Sequence, residues 1–176
     1  MGREIERRFL VADRSIVDSR DGAVIVQGYL RKDSGEMNTR IRICGSLAWL
    51  TLKAPHRGLV RDEYEYPIPL GDAREILERH CVGRTVQKTR YAIPSGRHVF
   101  DVDVFEGSAA GLVIAEVELS APDEVVEIPS WIGLEISGDS RYGNRSLALH
   151  GFPDACAPGH VPHPPTQKSE TIMQLA

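Results

Sequence analysis

Pairs of like-charged side chains recur at two-residue spacing through much of this chain. The segment REIERRFLV, residues 3–11, carries Glu4 and Glu6, and Arg8 follows at the same spacing. Because successive side chains of a β-strand alternate between its two faces, these three side chains would point to the same side. Carboxylates are hard oxygen ligands suited to Mg²⁺ or Mn²⁺, whereas arginine and lysine bind phosphate oxygens. A site that holds both signs is suited to a metal-bound polyphosphate.

The same spacing returns in later segments of the chain. Further cations occur as Arg40 with Arg42, as Lys53, and as Lys88 with Arg90, and further acids as Glu63 with Glu65, Asp101 with Asp103, and Glu116 with Glu118. A solvated face of an antiparallel sheet explains any single pair, and that interpretation stays open. However, a solvated face usually mixes signs, whereas these pairs each carry one sign. The set therefore favours charged faces that point into a closed barrel, where a ligand and metal offset the cost of burying charge.

Alternation of apolar and polar residues predicts the strands that would build such a barrel. The predicted strands are 3–11, 23–31, 37–44, 47–53, 60–68, 85–93, 98–105 and 112–120, with turns at 33–35, 45–46, 56–58 and 94–96. A helix is predicted over 71–83, with Asp72 as its N-cap and Gly83 at its end, and a second over 144–150. The predicted fold class is mainly β (α+β): an eight-stranded antiparallel β-barrel tunnel with a few outer helices.

Composition limits the classes of protein to which the chain can belong. The formal net charge is −4, and no basic run, membrane-length apolar stretch or signal-peptide pattern occurs, so neither nucleic acid nor a membrane is an expected partner. Cys44, Cys81 and Cys156 are scattered, as in a protein with reduced thiols, and a cytoplasmic location is expected. Residues 1–153 are expected to form one domain, and the Pro-containing segment 154–176, with His160 and His163, a mostly disordered tail.

The ordered set of motifs resembles the CYTH superfamily, the triphosphate tunnel metalloenzymes, and is most similar to its short, single-domain bacterial members. The family signature E-x-E-x-K reads Glu4-Ile5-Glu6-Arg7-Arg8 here. The matching blocks that follow are QGYL (27–30), TRIRI (39–43), LTLK (50–53), RDEYEYPI (61–68), VQKTRY (86–91), FDVDVFEG (100–107), AEVEL (115–119) and SRYGNRSLAL (140–149). The resemblance implies hydrolysis of a triphosphate, with inorganic tripolyphosphate as the expected substrate.

Family roles can be carried over only where this chain matches the motif. The resemblance implies Glu4, Glu6, Glu116 and Glu118 as ligands of two Mg²⁺ or Mn²⁺ ions, with Asp103 close to the metals, and Arg40, Arg42, Lys53, Lys88, Arg90 and Arg141 as phosphate ligands. Glu63 and Glu65 would orient the basic residues or water on the tunnel wall. Glu4, Glu6, Arg8 and Lys88 are the candidate catalytic residues. Arg8 replaces the family lysine, so it keeps the positive charge but is unsuited to act as a general base.

Other functions compete with this interpretation. Class IV adenylate cyclases and thiamine triphosphatases use the same tunnel, but no motif for reading a base is evident, and Tyr29, Tyr64 and Trp49 are expected to face outward onto helices. A non-catalytic polyphosphate-binding module is disfavoured, because a pure anion binder has no need of so many acids. A lipocalin-like carrier would need an apolar lumen. The oligomeric state stays open, with a homodimer as one candidate.

Overall fold

The computed structural model describes residues 2–31, 37–55 and 58–153. Its strands are β1 Gly2–Val11, β2 Ala23–Tyr29, β3 Asn38–Cys44, β4 Leu47–Lys53, β5 Val60–Pro67, β6 Thr85–Ser95, β7 His98–Phe105, β8 Val113–Glu118 and β9 Ile132–Glu135. Two α-helices, α1 Leu70–His80 and α2 Asn144–His150, accompany them, with 3₁₀ turns at Arg14–Val17, Gly107–Ala109 and Ser140–Tyr142. In the described part of the chain, no helix has the length and hydropathy needed to span a membrane.

The first eight strands close into an antiparallel barrel. Their order is β5-β4-β3-β2-β6-β7-β8-β1, and β1 completes the ring by pairing with β5. Strand β1 pairs with two strands in succession along its length. Residues Gly2–Ile5 pair with β5, and Glu6–Leu10 pair with β8. The short strand β9 is added to the end of β1 at Phe9 and Val11. The predicted fold class is thereby confirmed.

Apolar side chains on the outer face of the barrel form two clusters. One covers β1, β7 and β8 and includes Phe9, Phe100 and Val117, with Trp131 packed against it. The other covers β3 and β4, where Ile41 packs with residues of α1. These residues alternate along their strands with the charged residues, so burying the apolar side chains outside turns the charged side chains inward.

A third apolar cluster lies on the inner face, at one end of the barrel. It contains Leu10, Tyr29, Val86, Phe105 and Ile114, which share the inner face with the polar and charged residues of their strands. These side chains pack against Ile136, Tyr142, Leu147 and Ala148. We call residues 136–150 the cap segment, because their side chains occupy this end of the barrel.

Several local predictions differ from the structure. The first helix begins at Leu70 with Pro69 as its N-cap, so the prediction of Asp72 as N-cap is wrong, and Asp72 lies in the first turn. The helix ends at His80, and Gly83 follows in a turn with φ of +68°. The second helix is confirmed at Asn144–His150, although it lies at the barrel end, whereas α1 lies outside as predicted.

Strand β9 is absent from the sequence prediction, because four residues are too few for alternation to predict a strand. The predicted turn at 33–35, most of the turn at 56–58, and the predicted disordered tail with His160 and His163 lie outside the described residues.

Candidate active site inside the barrel

The barrel encloses a cavity of about 1390 Å³ that is lined mainly by charged side chains. Predicted site residues that line it are Glu4, Glu6, Arg8, Arg40, Arg42, Lys53, Glu63, Glu65, Lys88, Arg90, Glu116 and Glu118. Antiparallel pairing places several of them directly opposite one another, as with Glu6 and Glu118, or Lys53 and Glu63. The structure therefore brings most of the predicted residues into one space.

Acidic residues of β1 are bound to cations of β4 and β5. The Lys53 ammonium donates to Glu4 Oε1 at 2.8 Å and lies 2.7 Å from Glu63 Oε2. Arg61 donates from Nε to Glu4 and, at 3.4 Å from Nη2, to Glu6 Oε1. All of these side chains are at most 17% exposed, so the ion pairs are only weakly screened by solvent.

Two arginines of β3 face Glu65 across the barrel wall. Arg42 Nη2 donates to Glu65 Oε1 at 2.7 Å, and Arg40 Nη2 donates to the Thr51 hydroxyl at 3.2 Å. That hydroxyl donates to Glu65 Oε2 at 2.8 Å. The Nε atoms of Arg40 and Arg42 are buried without a hydrogen-bond acceptor. A buried donor without an acceptor is costly, and a bound phosphate oxygen is the kind of acceptor these two atoms lack.

Asp103 is the centre of a buried network on β6 and β7. Its carboxylate is fully buried and accepts from Lys88 Nζ, and from Arg90 Nε and Nη2 at 2.7 Å each. Arg90 also donates to Asp101 Oδ2 at 2.7 Å and to Glu116 Oε2 at 2.8 Å. Asp101 lines the cavity, whereas Asp103 lies beneath the two cations and is not among the lining residues.

Protonation of the carboxylates differs from one to the next. Burial, together with the charges of Glu116 and Glu4, raises the pKa of Glu6 to about 7. Burial also opposes ionisation of Glu116, but the charges of Lys88 and Arg90 outweigh it and lower the pKa of Glu116 to about 2. Burial lowers the pKa of Lys88, and Asp103 acts in the opposite direction.

Glu4 behaves like Glu116. Burial opposes its ionisation, yet the hydrogen bond from Arg61 and the charges of Lys53 and Arg61 hold its pKa far below the usual range. Of Glu4, Glu6 and Glu116, Glu6 is therefore the one that takes up a proton near neutral pH when no ligand is bound.

Besides Asp103, one further predicted residue does not line the cavity, and a lining residue, Arg61, was not predicted as part of the site. Arg141 has a side chain that is 57% exposed and bound to Asp139 at 2.6 Å, and it is not among the lining residues. Arg61 lines the cavity and binds both Glu4 and Glu6, which its two-residue spacing from Glu63 could have indicated.

Two aromatic residues also lie on the inner face, against expectation. Tyr29 is buried on this face and accepts a hydrogen bond from Gln27 Nε2 at 3.1 Å, so the prediction that it faces outward is wrong. Burial raises the pKa of Tyr29 to about 12. Trp49 shares the face of Thr51 and Lys53, and the Arg42 guanidinium lies 4.8 Å from its ring centroid.

The carboxylates of Glu4, Glu6, Glu116 and Glu118 line the cavity. Their oxygen atoms are the kind of ligand that a hard divalent cation prefers. Among the residues that the structure describes, no three His, Cys, Asp or Glu side chains are already arranged around one point as metal ligands. The ion pairs account for this arrangement, since Glu4 and Glu116 are turned toward Lys53, Arg61 and Arg90. Metal binding would require these carboxylates to exchange a cationic partner for the ion.

The closed barrel with a charged interior defines the class of protein. A model of the CYTH domain family matches residues 2–149, and the chain belongs to this family. The motif order seen in the sequence and the barrel built by the strands lead to the same conclusion.

Relatives within the family are named for their activity. The chain is 40% identical over 152 residues to a protein of Acetivibrio thermocellus named inorganic triphosphatase, and the match covers 86% of this chain and 97% of the relative. It is also 40% identical over 151 residues to an inorganic triphosphatase of Nitrosomonas europaea, covering 83% and 97%.

Solved structures agree on the fold. A crystal structure of an inorganic triphosphatase is 36% identical, with a TM-score of 0.61, and the match covers 85% of this chain and 96% of that one. A putative adenylate cyclase from Bacillus halodurans is 19% identical, with a TM-score of 0.56 and coverage of 69% and 84%, and this likeness concerns the fold alone.

Proposed function

We propose that this protein hydrolyses inorganic tripolyphosphate in a reaction that depends on a divalent metal ion. The observation that carries the proposal is a cavity inside the barrel that is lined by cations and carboxylates together, among them Arg40, Arg42, Lys53, Arg90, Glu4, Glu6, Glu116 and Glu118. The two relatives named inorganic triphosphatase support the choice of substrate.

The cations would bind the phosphate chain. Arg40 and Arg42 each have a buried Nε without an acceptor, and their guanidinium groups can bind phosphate oxygens in a bidentate manner. Lys53, Lys88 and Arg90 supply further positive charge from the walls on either side. Because phosphoryl transfer needs mainly positioning and charge neutralisation, these side chains supply most of what the protein must contribute.

The acids have a separate role in the proposal. Glu4, Glu6, Glu116 and Glu118 would hold Mg²⁺ or Mn²⁺, with Asp101 nearby, and the ion would supply charge neutralisation and a more acidic bound water. Two ions are the number that the family resemblance implies. Once phosphate occupies the cations, Glu4 and Glu116 lose their present partners and become available as ligands. Glu63 and Glu65 would keep Lys53 and Arg42 oriented.

Asp103 remains in the proposed site as the buried residue next to the metal ligands. Both of its oxygens accept from Lys88 and Arg90, so in this structure its contribution is to orient those two cations. Arg141 is a candidate phosphate ligand from the sequence, and its contact with Asp139 gives this role no support.

A phosphate-release assay tests the proposed function. Purified protein is incubated with tripolyphosphate, with Mg²⁺ or Mn²⁺ added, and again with excess EDTA. The expected result is release of phosphate with either metal and loss of the activity with EDTA. Release that persists at the same rate in EDTA, or no release with either metal, would overturn the proposal. A polyphosphate-binding module would bind the compound in the presence of metal without releasing phosphate.

A further inference from the structure

The Arg8 guanidinium is bound to main-chain carbonyls of the cap segment. Its Nη1 donates to the Tyr142 carbonyl and its Nη2 to the Ser137 carbonyl, each at 3.2 Å. The main chain of Arg8 joins the same segment, since its N–H donates to Ser137 Oγ at 3.0 Å and its carbonyl accepts from Ile136 N–H at 2.8 Å. Arg8 is only 6% exposed, so these bonds are shielded from water.

Arg8 lies at the boundary between the charged cavity and the apolar end of the barrel. On one side its Nε is 3.7 Å from Glu6 Oε1, and on the other the next inward residue, Leu10, packs on the apolar cluster that includes Tyr142. Of the two carbonyls that Arg8 binds, that of Ser137 precedes the 3₁₀ turn Ser140–Tyr142 and that of Tyr142 belongs to its last residue. Gly143 then joins this turn to α2. The guanidinium thus fixes the turn from which α2 begins.

The start of α2 is in contact with a cavity cation. Asn144, its first residue, lines the cavity and accepts a hydrogen bond from Lys88 Nζ at 3.3 Å through Oδ1. A shift of the turn would move Asn144 away from Lys88. The chain of contacts therefore runs from Arg8 through the cap segment to Lys88.

Arginine is suited to this arrangement in a way that lysine is not. A guanidinium presents a rigid planar fork that can bind two carbonyls at once, whereas an ammonium is a point charge on a flexible stem. The family signature has lysine at this position, so the fork is a feature of this chain. An arginine is also a poor proton acceptor, which removes a general-base role.

We propose that Arg8 is a positioning residue that holds the cap segment, and through it Asn144, against Lys88. Arg8 therefore acts on the reaction through the cap rather than by binding phosphate. The kinetic part of this inference rests on the proposed tripolyphosphatase activity, whereas the structural part does not.

Hydrogen–deuterium exchange of the ligand-free protein tests the structural part. Arg8→Lys and Arg8→Ala are compared with Arg42→Lys, which also keeps the charge of a cavity arginine but contacts Glu65 instead of the cap. Peptides within 137–150 should exchange about tenfold faster in Arg8→Lys, because local opening of the cap becomes less costly. The same peptides should be unchanged in Arg42→Lys, and β6–β7 peptides should be unchanged in all variants. Unaltered exchange of the cap in Arg8→Lys would overturn the inference, and this variant suffices if Arg8→Ala does not fold.

A double-mutant cycle with Asn144→Ala tests the kinetic part. Arg8→Lys alone should lower kcat by about tenfold with KM changed less than about twofold, and in the Asn144→Ala background it should lower kcat less than about twofold. Additive effects of the two substitutions, or an Arg8→Lys effect confined to KM, would show direct contact with the phosphate and overturn the inference. If the wild type released no phosphate at all, the proposed function would fail, while the exchange experiment would still decide whether Arg8 holds the cap.

Discussion

The ammonium of Lys53, a proposed phosphate ligand, is bound to the carboxylate of Glu4, a proposed metal ligand, at 2.8 Å. Arg90 and Glu116 form a second such pair at 2.8 Å on the other wall. In the ligand-free cavity, the groups proposed for the anion and those proposed for the cation therefore neutralise one another. Either ligand alone must break these pairs and leave a buried charge without a partner, which is costly.

The first prediction is that metal ion and phosphate chain bind cooperatively. A tripolyphosphate analogue with methylene bridges, which cannot be hydrolysed there, is titrated calorimetrically with and without Mg²⁺. Affinity for the analogue should rise at least about tenfold with Mg²⁺, which is about 1.4 kcal/mol and lies within the range of typical coupling energies. The Lys53→Met variant, which frees Glu4 of one partner, should bind Mg²⁺ alone more tightly than the wild type does. Equal affinity of the analogue in EDTA and in Mg²⁺ would contradict the role given to these pairs.

A second prediction concerns Glu6→Gln and Glu118→Gln, which face each other across β1 and β8. Each substitution removes a proposed ligand charge while keeping the shape of the side chain. The metal concentration needed for half-maximal rate should rise and kcat should fall sharply. The fold should persist, because an empty cavity without the largely buried charge of Glu6 is no less stable and because Glu118 is exposed. Glu75→Gln on α1, whose side chain is 59% exposed and paired with Arg79, is the matched control and should leave both kinetic quantities unchanged. Retained activity of both cavity variants at low metal would exclude these residues as ligands.

The third prediction follows from the pKa of Glu6, which is raised from 4.5 to about 7. Between pH 4.5 and about 7, the unfolded chain loses the proton of Glu6 while the folded, metal-free protein keeps it. The protonated Glu6 therefore contributes to stability below pH 4.5, and this contribution is lost as the pH rises to about 7. Glu4 and Glu116, with lowered pKa values, titrate below that range. In EDTA, the melting temperature of Glu6→Gln relative to that of the wild type should increase as the pH rises from 4.5 to about 7. A difference that stays constant over the range would contradict the raised pKa.

A fourth prediction is that Asp103→Asn destabilises the protein more than Asp101→Asn, Glu6→Gln or Glu118→Gln does. The substitution would leave Lys88, which is 2% exposed, and Arg90 without their shared buried negative charge. Breaking a buried ion pair in this way costs about 3 kcal/mol or more in the free energy of unfolding. Urea denaturation in EDTA measures the free energy of unfolding of each variant. Asp101→Asn is the comparison and should cost much less, because the Asp101 side chain is 41% exposed. Equal effects of the two aspartate substitutions would show that Asp103 does not support the two cations.

The sequence was informative about the strands and the charged faces, because two-residue alternation is a property of a single strand. The inward direction of Glu4, Arg40 and Lys88 follows once the apolar residues on the opposite face must be buried. Arg61 was overlooked because its role depends on β5 meeting the first residues of β1, a contact made only when the barrel closes.

Contacts between distant segments could not be predicted from alternation. The cap segment lies more than 120 residues from Arg8, and its position depends on the apolar inner face at Leu10, Val86 and Phe105. Likewise, Asp101 and Asp103 are two residues apart, as are Glu116 and Glu118, which both line the cavity. Only the three-dimensional packing shows that Lys88 and Arg90 cover Asp103. The outward prediction for Tyr29 is wrong for the same reason, since the sequence does not reveal which end of the barrel is apolar.

The central claim is most directly tested by initial rates of phosphate release from four compounds measured side by side. Tripolyphosphate, pyrophosphate, ATP and thiamine triphosphate are each supplied over the same range of concentrations with Mg²⁺ and, separately, with Mn²⁺. The cavity is lined by cations for a phosphate chain and by acids for metal ions. We expect tripolyphosphate to give the highest kcat/KM with at least one of the two metals. A higher kcat/KM for ATP or thiamine triphosphate with both metals would contradict it.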